Sequence, residues 1–552
     1  MAINLSPEPI IVTADIIRTA NPLQPEAQGM LICGREILMV GSLEECEAAS
    51  AERFVKAPEV ISFPGQTVVP GFVDPHAHPV SMGQFLTWVD CSPGQAGSID
   101  EMVGLLTEAA RRAEPGVTIR GYGYEQRNLR EKRHPSCDEL DQASTSQEIY
   151  LMNASGHSVI VNHYALEKYG ITDTTPDPDG GAFVRDEAGR LTGEIVDAAC
   201  NVLTGPMGVK VGAHGPNFHL PETDEHLNSY LEAAQSVFLR NGVTSIGDAQ
   251  VSSREFGTYQ RLRVSGKLRA RFSLYLLSHM LDSVLEVGLK SGFGDEILEV
   301  AGIKLYVDGS LGGWTAYFPD GYPGDPCRTG QLYHDPTEYD GLVRRAHLAG
   351  LQTASHAQSP DAVGMVITAV RNAQQVDGVQ QRHRVEHCGL PALEQISEMR
   401  ALGMLPVNQP MHGHNWGEGV VEAIGDDGER FNPLGDFLRA DLPITLSSDA
   451  PVAYPNPLQA IDAAVTRETR SGLTLGSEDL RVSPEAALQG HTLHGARALN
   501  RENSVGSLEA GKLADFVVLA GDPFGRGRIR DIEVEETWVA GVREYHRNEN
   551  RA

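Results

Sequence analysis

His76 and His78 close a short apolar run, Val69-Pro70-Gly71-Phe72-Val73-Asp74-Pro75-His76-Ala77-His78. In an extended strand, side chains at i and i+2 point the same way, so both imidazoles leave one face of a strand end. Two converging imidazoles are the first half of a ligand set for a divalent transition metal. A lone His-x-His is equally compatible with two polar residues in a surface loop. The same design then recurs. Lys304 stands between Ile303 and Leu305, His356 closes Thr353-Ala-Ser-His356, His387 closes Arg384-Val-Glu-His387, and Asp449 closes Leu446-Ser-Ser-Asp449. Each has an ordinary alternative, such as a hydrogen-bonded core histidine or a turn aspartate before Ala450-Pro451. Lys304 is the odd one, because a lysine is almost never fully buried unless paired. The recurrence of ligand types at the same place in successive apolar runs favours a metal centre.

The elements that must position these residues are strands. Eight apolar runs are spaced along the chain: 69–74, 242–248, 271–278, 300–308, 351–356, 383–387, 405–410 and 444–449. Between them lie helical patterns, over 224–241, 336–349 and 391–402. Strands alternating with helices predict a parallel sheet, and eight such units predict a closed (β/α)8 TIM barrel over residues 69–499. All C-terminal strand ends of a barrel share one face, so the four histidines, Lys304 and Asp449 are expected to meet there.

The connection between the first two runs exceeds any ordinary βα loop of ~2–6 residues. It has its own helical stretch (99–113), strand-like runs (118–122, 149–153) and the turn Asp177-Pro-Asp-Gly-Gly181. Residues 90–223 are therefore expected to form an inserted cap subdomain at the mouth. A surface decoration is the alternative. After the eighth run, 483–499 reads as one helix. The ends of the chain have β character: 10–17, a hairpin around Gly34-Arg35, then 515–519, 537–539 and 542–545. Residues 1–68 and 500–552 are expected to pair as one small β-sandwich domain.

With 552 residues, the chain exceeds one compact core. Its formal charge of −29 argues against nucleic acid or an anionic membrane as partner. The 7 cysteines are scattered and odd in number, the usage of a reducing compartment. No signal-peptide pattern opens the chain and no apolar run approaches the ~20 residues of a membrane span. A cytoplasmic protein is expected, with the oligomeric state left open and a homodimer as one option.

The chain resembles the amidohydrolase-3 branch of the amidohydrolase superfamily. The likeness rests on Pro70-Gly-Phe-Val-Asp-Pro-His-Ala-His78, Asp179-Gly-Gly181 with Gly193-Glu194, and Gly302-Ile-Lys-Leu-Tyr-Val-Asp-Gly-Ser-Leu311. It continues in Arg382-His-Arg-Val-Glu-His387, Ser447-Ser-Asp-Ala-Pro-Val452 and Gly506-Ser-Leu-Glu-Ala-Gly-Lys-Leu-Ala-Asp515. The resemblance implies that His76, His78, Lys304, His356, His387 and Asp449 hold one or two divalent ions, zinc above all, with Lys304 N6-carboxylated as a bridge. It departs from the branch pattern at His356-Ala-Gln-Ser-Pro-Asp361, Gly247-Asp248-Ala249 and Ser155-Gly156-His157.

The implied activity is hydrolysis of a carbon–nitrogen bond outside peptides, in a small-molecule amide or N-substituted formamide. Metal coordination lowers the pKa of water towards ~7, and the resulting hydroxide attacks the carbonyl. Asp449 is the expected general acid/base. His157 and Tyr124 of the insertion, Trp314 after the fourth run and His412 after the seventh are candidate substrate contacts. An ester or lactone hydrolase on the same centre, or a non-catalytic metal-containing binding protein, are the alternatives.

Overall fold

A computed structural model describes residues 8–549 apart from positions 207, 218 and 324. Its centre is a parallel sheet in the order Leu405–Val407, Arg384–His387, Gln352–Ala357, Leu298–Tyr306, Arg271–Leu277, Val243–Val251, Phe72–Ala77. Six of these seven strands are buried along their full length, the fourth losing cover only at its first two residues. That matches near-continuous apolar runs clad by helices on the outside.

The eighth position is filled by 444–449, which is extended without forming a regular strand. On one side it makes a parallel bridge between Asn408 and Leu446. On the other, the Asp449 amide donates to the His76 carbonyl at 2.8 Å and the His78 amide to the Ala450 carbonyl at 2.7 Å. These bonds bring the two ends of the sheet together into a near-closed barrel.

The first expected strand, 69–74, proves to be two strands. Val69 and Pro70 end Glu59–Pro70 of another sheet, and the barrel strand begins at Phe72. Gly71 is the joint. Its amide donates to the Asp515 carbonyl at 2.9 Å, and a Cβ there would lie 2.3 Å from Thr244 Oγ1.

Helices cover the barrel as their caps dictate. Asp224–Arg240 starts at Thr223, whose side chain accepts from the His226 amide, and buries Leu227, Leu231, Ala234 and Phe238 along one face. The helix expected over 483–499 breaks into Pro484–Gly490 and Leu493–Ala498. At the break, the His491 carbonyl turns to accept from the Val73 amide at 2.7 Å.

Both termini build a seven-stranded mixed sheet ordered Val542–His546, Val534–Val539, Phe516–Leu519, Glu59–Pro70, Pro9–Arg18, Glu26–Cys33, Glu36–Gly41. A fully buried pair rivets it to the barrel: Arg271 donates to both carboxylate oxygens of Asp515, each at 2.8 Å. The segment between the first two barrel strands carries a six-stranded sheet, with Ile119–Tyr124 and Ile149–Asn153 inside it. Alternate residues of that sheet feed two apolar clusters. Tyr150, Met152 and Val159 face one, while Ile149, Leu151 and Ile160 face the other with Leu106 of helix Ile99–Arg112. Among the described residues no helix is long and apolar enough to cross a membrane.

Candidate metal centre

The barrel mouth gathers the strand-end residues into one buried group. One ligand atom each of His76, His387 and Asp449 lie within 4.8 Å of one another. His78 Nε2 is 2.9 Å and His76 Nε2 3.4 Å from Asp449 Oδ1. The His356 and His387 ring centres are 4.4 Å apart. Lys304 is fully buried in strand Leu298–Tyr306, paired with Ala354 in the same register that sets Tyr306 beside His356. All six expected ligand residues therefore converge on the same end of the barrel.

Each imidazole is aimed by a bond to its other nitrogen. His76 Nδ1 pairs with Glu386, which leaves Nε2 to face inward. His387 Nδ1 meets Gln409 Oε1 at 2.7 Å, again freeing Nε2, whereas His356 uses Nε2 against the Gly309 carbonyl at 3.1 Å, which leaves Nδ1 as its other nitrogen. Such outer bonds fix the tautomer and raise ligand basicity. Glu386 is held in turn by Arg384, with contacts of 2.7 Å to each oxygen.

The backbone is strained at two of these residues: His387 (φ 67°) and Asp449 (φ 60°) are left-handed without being glycine. That costs of order 1–3 kcal/mol each and persists only where surroundings enforce it. Asn408 Nδ2 donates to the His387 carbonyl at 2.7 Å. Asp74 fixes the approach to Asp449, accepting from the Ser448 amide at 3.0 Å and its hydroxyl at 2.5 Å.

Burial governs the electrostatics. It pushes His76 down to about 4 and holds His356 and His387 well below the ordinary histidine value, so these rings are neutral and ready to donate a lone pair. It pushes Lys304 down to about 8 and Asp74 up to about 7. Burial alone would raise Asp449, but His76, His78 and His412 keep its carboxyl well below the usual range. His78 is the exception among the rings: burial lowers it, and Asp248 and Asp449 outweigh burial and raise it. Two carboxylates that favour a proton there equally favour a metal cation in its place.

The donor set fits a divalent ion. His76 Nε2 and Lys304 Nζ are buried with no hydrogen-bond partner in the protein. Leaving such a group unsatisfied costs ~1–3 kcal/mol, and more if charged. Imidazole and carboxylate donors suit zinc and neighbouring transition metals.

Of the four expected substrate contacts, two line the cavity over this centre and two do not. His157 lies in its wall, with Nδ1 2.5 Å from Asp197 Oδ1. His412 lies opposite, with Nε2 3.6 Å from Asp449 Oδ2, and burial lowers its pKa to about 4. Tyr124 is a correction: it is fully buried inside the cap with its hydroxyl 2.8 Å from His134 Nδ1. A register shift between Tyr122 and Tyr124, at Gly123, turns it away, and Tyr122 faces the cavity instead. Trp314 is the other correction. It stacks on Tyr322, ring centres 5.6 Å apart, outside the cavity wall, where Trp416 stands. Glu386, Asp74, Gln409 and Tyr122 are the contributors that sequence reasoning passed over.

Comparison with known proteins agrees with this geometry. Residues 59–545 match the model of the amidohydrolase family. The N-substituted formamide deformylase of Arthrobacter pascens is 31% identical, covering 98% of each chain. Protein LONG AFTER FAR-RED 3 of Arabidopsis thaliana is 28% identical over 93% of this chain and 87% of its own. A metal-dependent hydrolase of Pyrococcus horikoshii OT3, described as uncharacterized, superposes with a TM-score of 0.75 at 25% identity, covering 95% of this chain and 99% of that one.

Proposed function

The chain belongs to the amidohydrolase family, and from that membership we propose that it hydrolyses carbon–nitrogen bonds other than peptide bonds, in small amides of the N-substituted formamide type. The observation that carries the reading is the convergence of His76, His387 and Asp449 on one point, beside a lysine amine without a partner. His76, His78, His356, His387 and Asp449 would hold one or two divalent ions, zinc by donor type, with Lys304 as an N6-carboxylated bridge. A carbamate would give that buried nitrogen the two anionic oxygens that an ammonium lacks.

A divalent metal at this place supplies Lewis acidity and lowers the pKa of water towards ~7. The protein's own groups do the rest. Asp449, kept ionised by its hydrogen bond with His78, is the base that takes the water's proton and later hands it to the leaving nitrogen. His412, neutral and with its Nε2 unpartnered beside Asp449, is placed to steady the carbonyl oxygen. His157, gripped through Nδ1 by Asp197, presents Nε2 from the cap. The buried walls keep bulk water from the reacting carbonyl.

The test is metal content and amine release measured together on a panel of N-formyl amines, N-acyl amines, cyclic amides and lactones. Amine release that is lost with a chelator and restored by zinc supports the reading. Hydrolysis of lactones alone would replace it with an ester-type reaction.

A further inference from the structure

The Tyr122 hydroxyl donates to the Pro451 carbonyl at 2.6 Å. This bond joins the cap to the loop that follows the closing segment 444–449, and it runs between two cavities. On one side is the chamber above the metal ligands, with only about 40 Å³ of free space. On the other is a cleft of about 560 Å³. Phe85, Tyr122, Trp416, Pro451 and Val452 belong to the walls of both.

The far cavity has a definite chemistry. Phe85 packs against Trp88 and Tyr122, with ring centres 4.4 and 4.3 Å away. Met82, Met411 and Tyr454 extend the apolar wall, while Asp90, Glu125 and Arg470 are also part of its lining. The size falls in the range of pockets that bury a drug-sized group (~300–1,000 Å³), and aromatic and methionine side chains give it ring-binding faces. The chamber is too small to take a bulky substituent beside the reacting carbonyl. A group of that size has to lie outside the chamber, and the cleft abuts it across the wall that Phe85, Tyr122 and Trp416 share.

We propose that this cleft, walled by Phe85, Trp88, Tyr122 and Tyr454, is the subsite for an apolar, ring-bearing substituent of the substrate. The proposal rests on the hydrolase reading for its substrate, and it places the small part of the amide at the ligands and the ring beyond the Tyr122–Pro451 bond.

The experiment compares two stable sulfonamides, N-(2-phenylethyl)methanesulfonamide and N-methylmethanesulfonamide, titrated calorimetrically into the full-length protein as isolated. Because one methylene in an apolar pocket already discriminates ~10-fold or more, the phenylethyl compound should bind at least ~10-fold tighter. Trp88→Ala should collapse that ratio. Tyr454→Ala, at a half-exposed position that tolerates truncation, should reduce it, which covers the case of a poorly folded Trp88 variant. Equal binding of the two compounds, or a ratio that neither substitution changes, overturns the subsite. A ratio that holds in a protein hydrolysing none of the amides keeps the subsite and removes the hydrolase reading.

Discussion

His76 is gripped from behind by Glu386, whose carboxylate pairs with Nδ1 while Nε2 looks towards Asp449 at 3.4 Å. Both side chains are fully buried, and Arg384 holds Glu386 in place. Burial alone would raise Glu386, but Arg384 and His76 keep it well below the usual carboxylate range. The carboxylate fixes the imidazole in one tautomer and orientation, as carboxylates commonly do for histidines that bind metals.

Glu386→Gln tests that role. Loss of an outer-sphere partner typically costs ~10–100-fold in metal affinity, and Arg384 would be left without its buried counter-charge, a change worth roughly 3–5 kcal/mol of stability. The expected result is a weaker zinc affinity in chelator competition together with a lowered unfolding midpoint. A variant with both values unchanged would remove Glu386 from the centre.

Lys304→Ala addresses the proposed bridge. A lysine amine buried without a hydrogen-bond partner has no structural use that alanine would spoil by loss of a bond. The variant should lose most metal and activity, and short carboxylic acids or bicarbonate should restore part of both. Full metal occupancy with normal turnover would show that Lys304 is not a ligand-bearing group.

Asp449→Asn keeps the shape and a carbonyl oxygen and removes the charge. Metal should be largely retained, while kcat falls by the ~10²–10⁴-fold typical of a general acid/base. Metal analysis alongside kcat separates the two possible duties. Loss of metal with an unchanged rate per bound metal would make Asp449 a ligand only.

The residues expected as ligands could be placed together because a strand imposes a period of two and a barrel puts every C-terminal strand end on one face. Those rules need only the apolar runs around them. The aromatic contacts were harder. Tyr122 and Tyr124 flank one residue and would share a face in a regular strand, but the left-handed Gly123 (φ 95°) and the register shift there break the period. Trp314 and Trp416 have equal claims as isolated residues, and only the packing of Trp314 on Tyr322 decides between them. Glu386 carried a signal that went unused: Arg384 and Glu386, two apart in a strand with no exposed residue, must face the same buried side and pair. The closing segment 444–449 was legible in position, while its irregular pairing depends on Asp74, far away in sequence, accepting from Ser448.

His157→Ala separates the cap from the chemistry. Asp197 holds the His157 ring at 2.5 Å and also accepts from the Tyr333 hydroxyl at 2.6 Å, tying the cap to the loop after the fourth barrel strand. The proposed metal ligands come from the barrel, so removing the cap histidine should leave metal content normal. What it removes is one contact from the wall of the chamber. A pocket hydrogen bond is worth roughly 0.5–1.5 kcal/mol if neutral and about 1.5–3 kcal/mol if charged, so kcat/KM should fall by about 2- to 150-fold. The size of the fall should differ between amides of different acyl size, because the cap wall meets the substrate and not the water. The measurement is kcat/KM for two such amides in wild type, His157→Ala and Asp197→Asn, the last keeping the ring but loosening its grip. An equal loss on both substrates would put His157 in the chemistry itself, and no loss on either would leave it with a packing role.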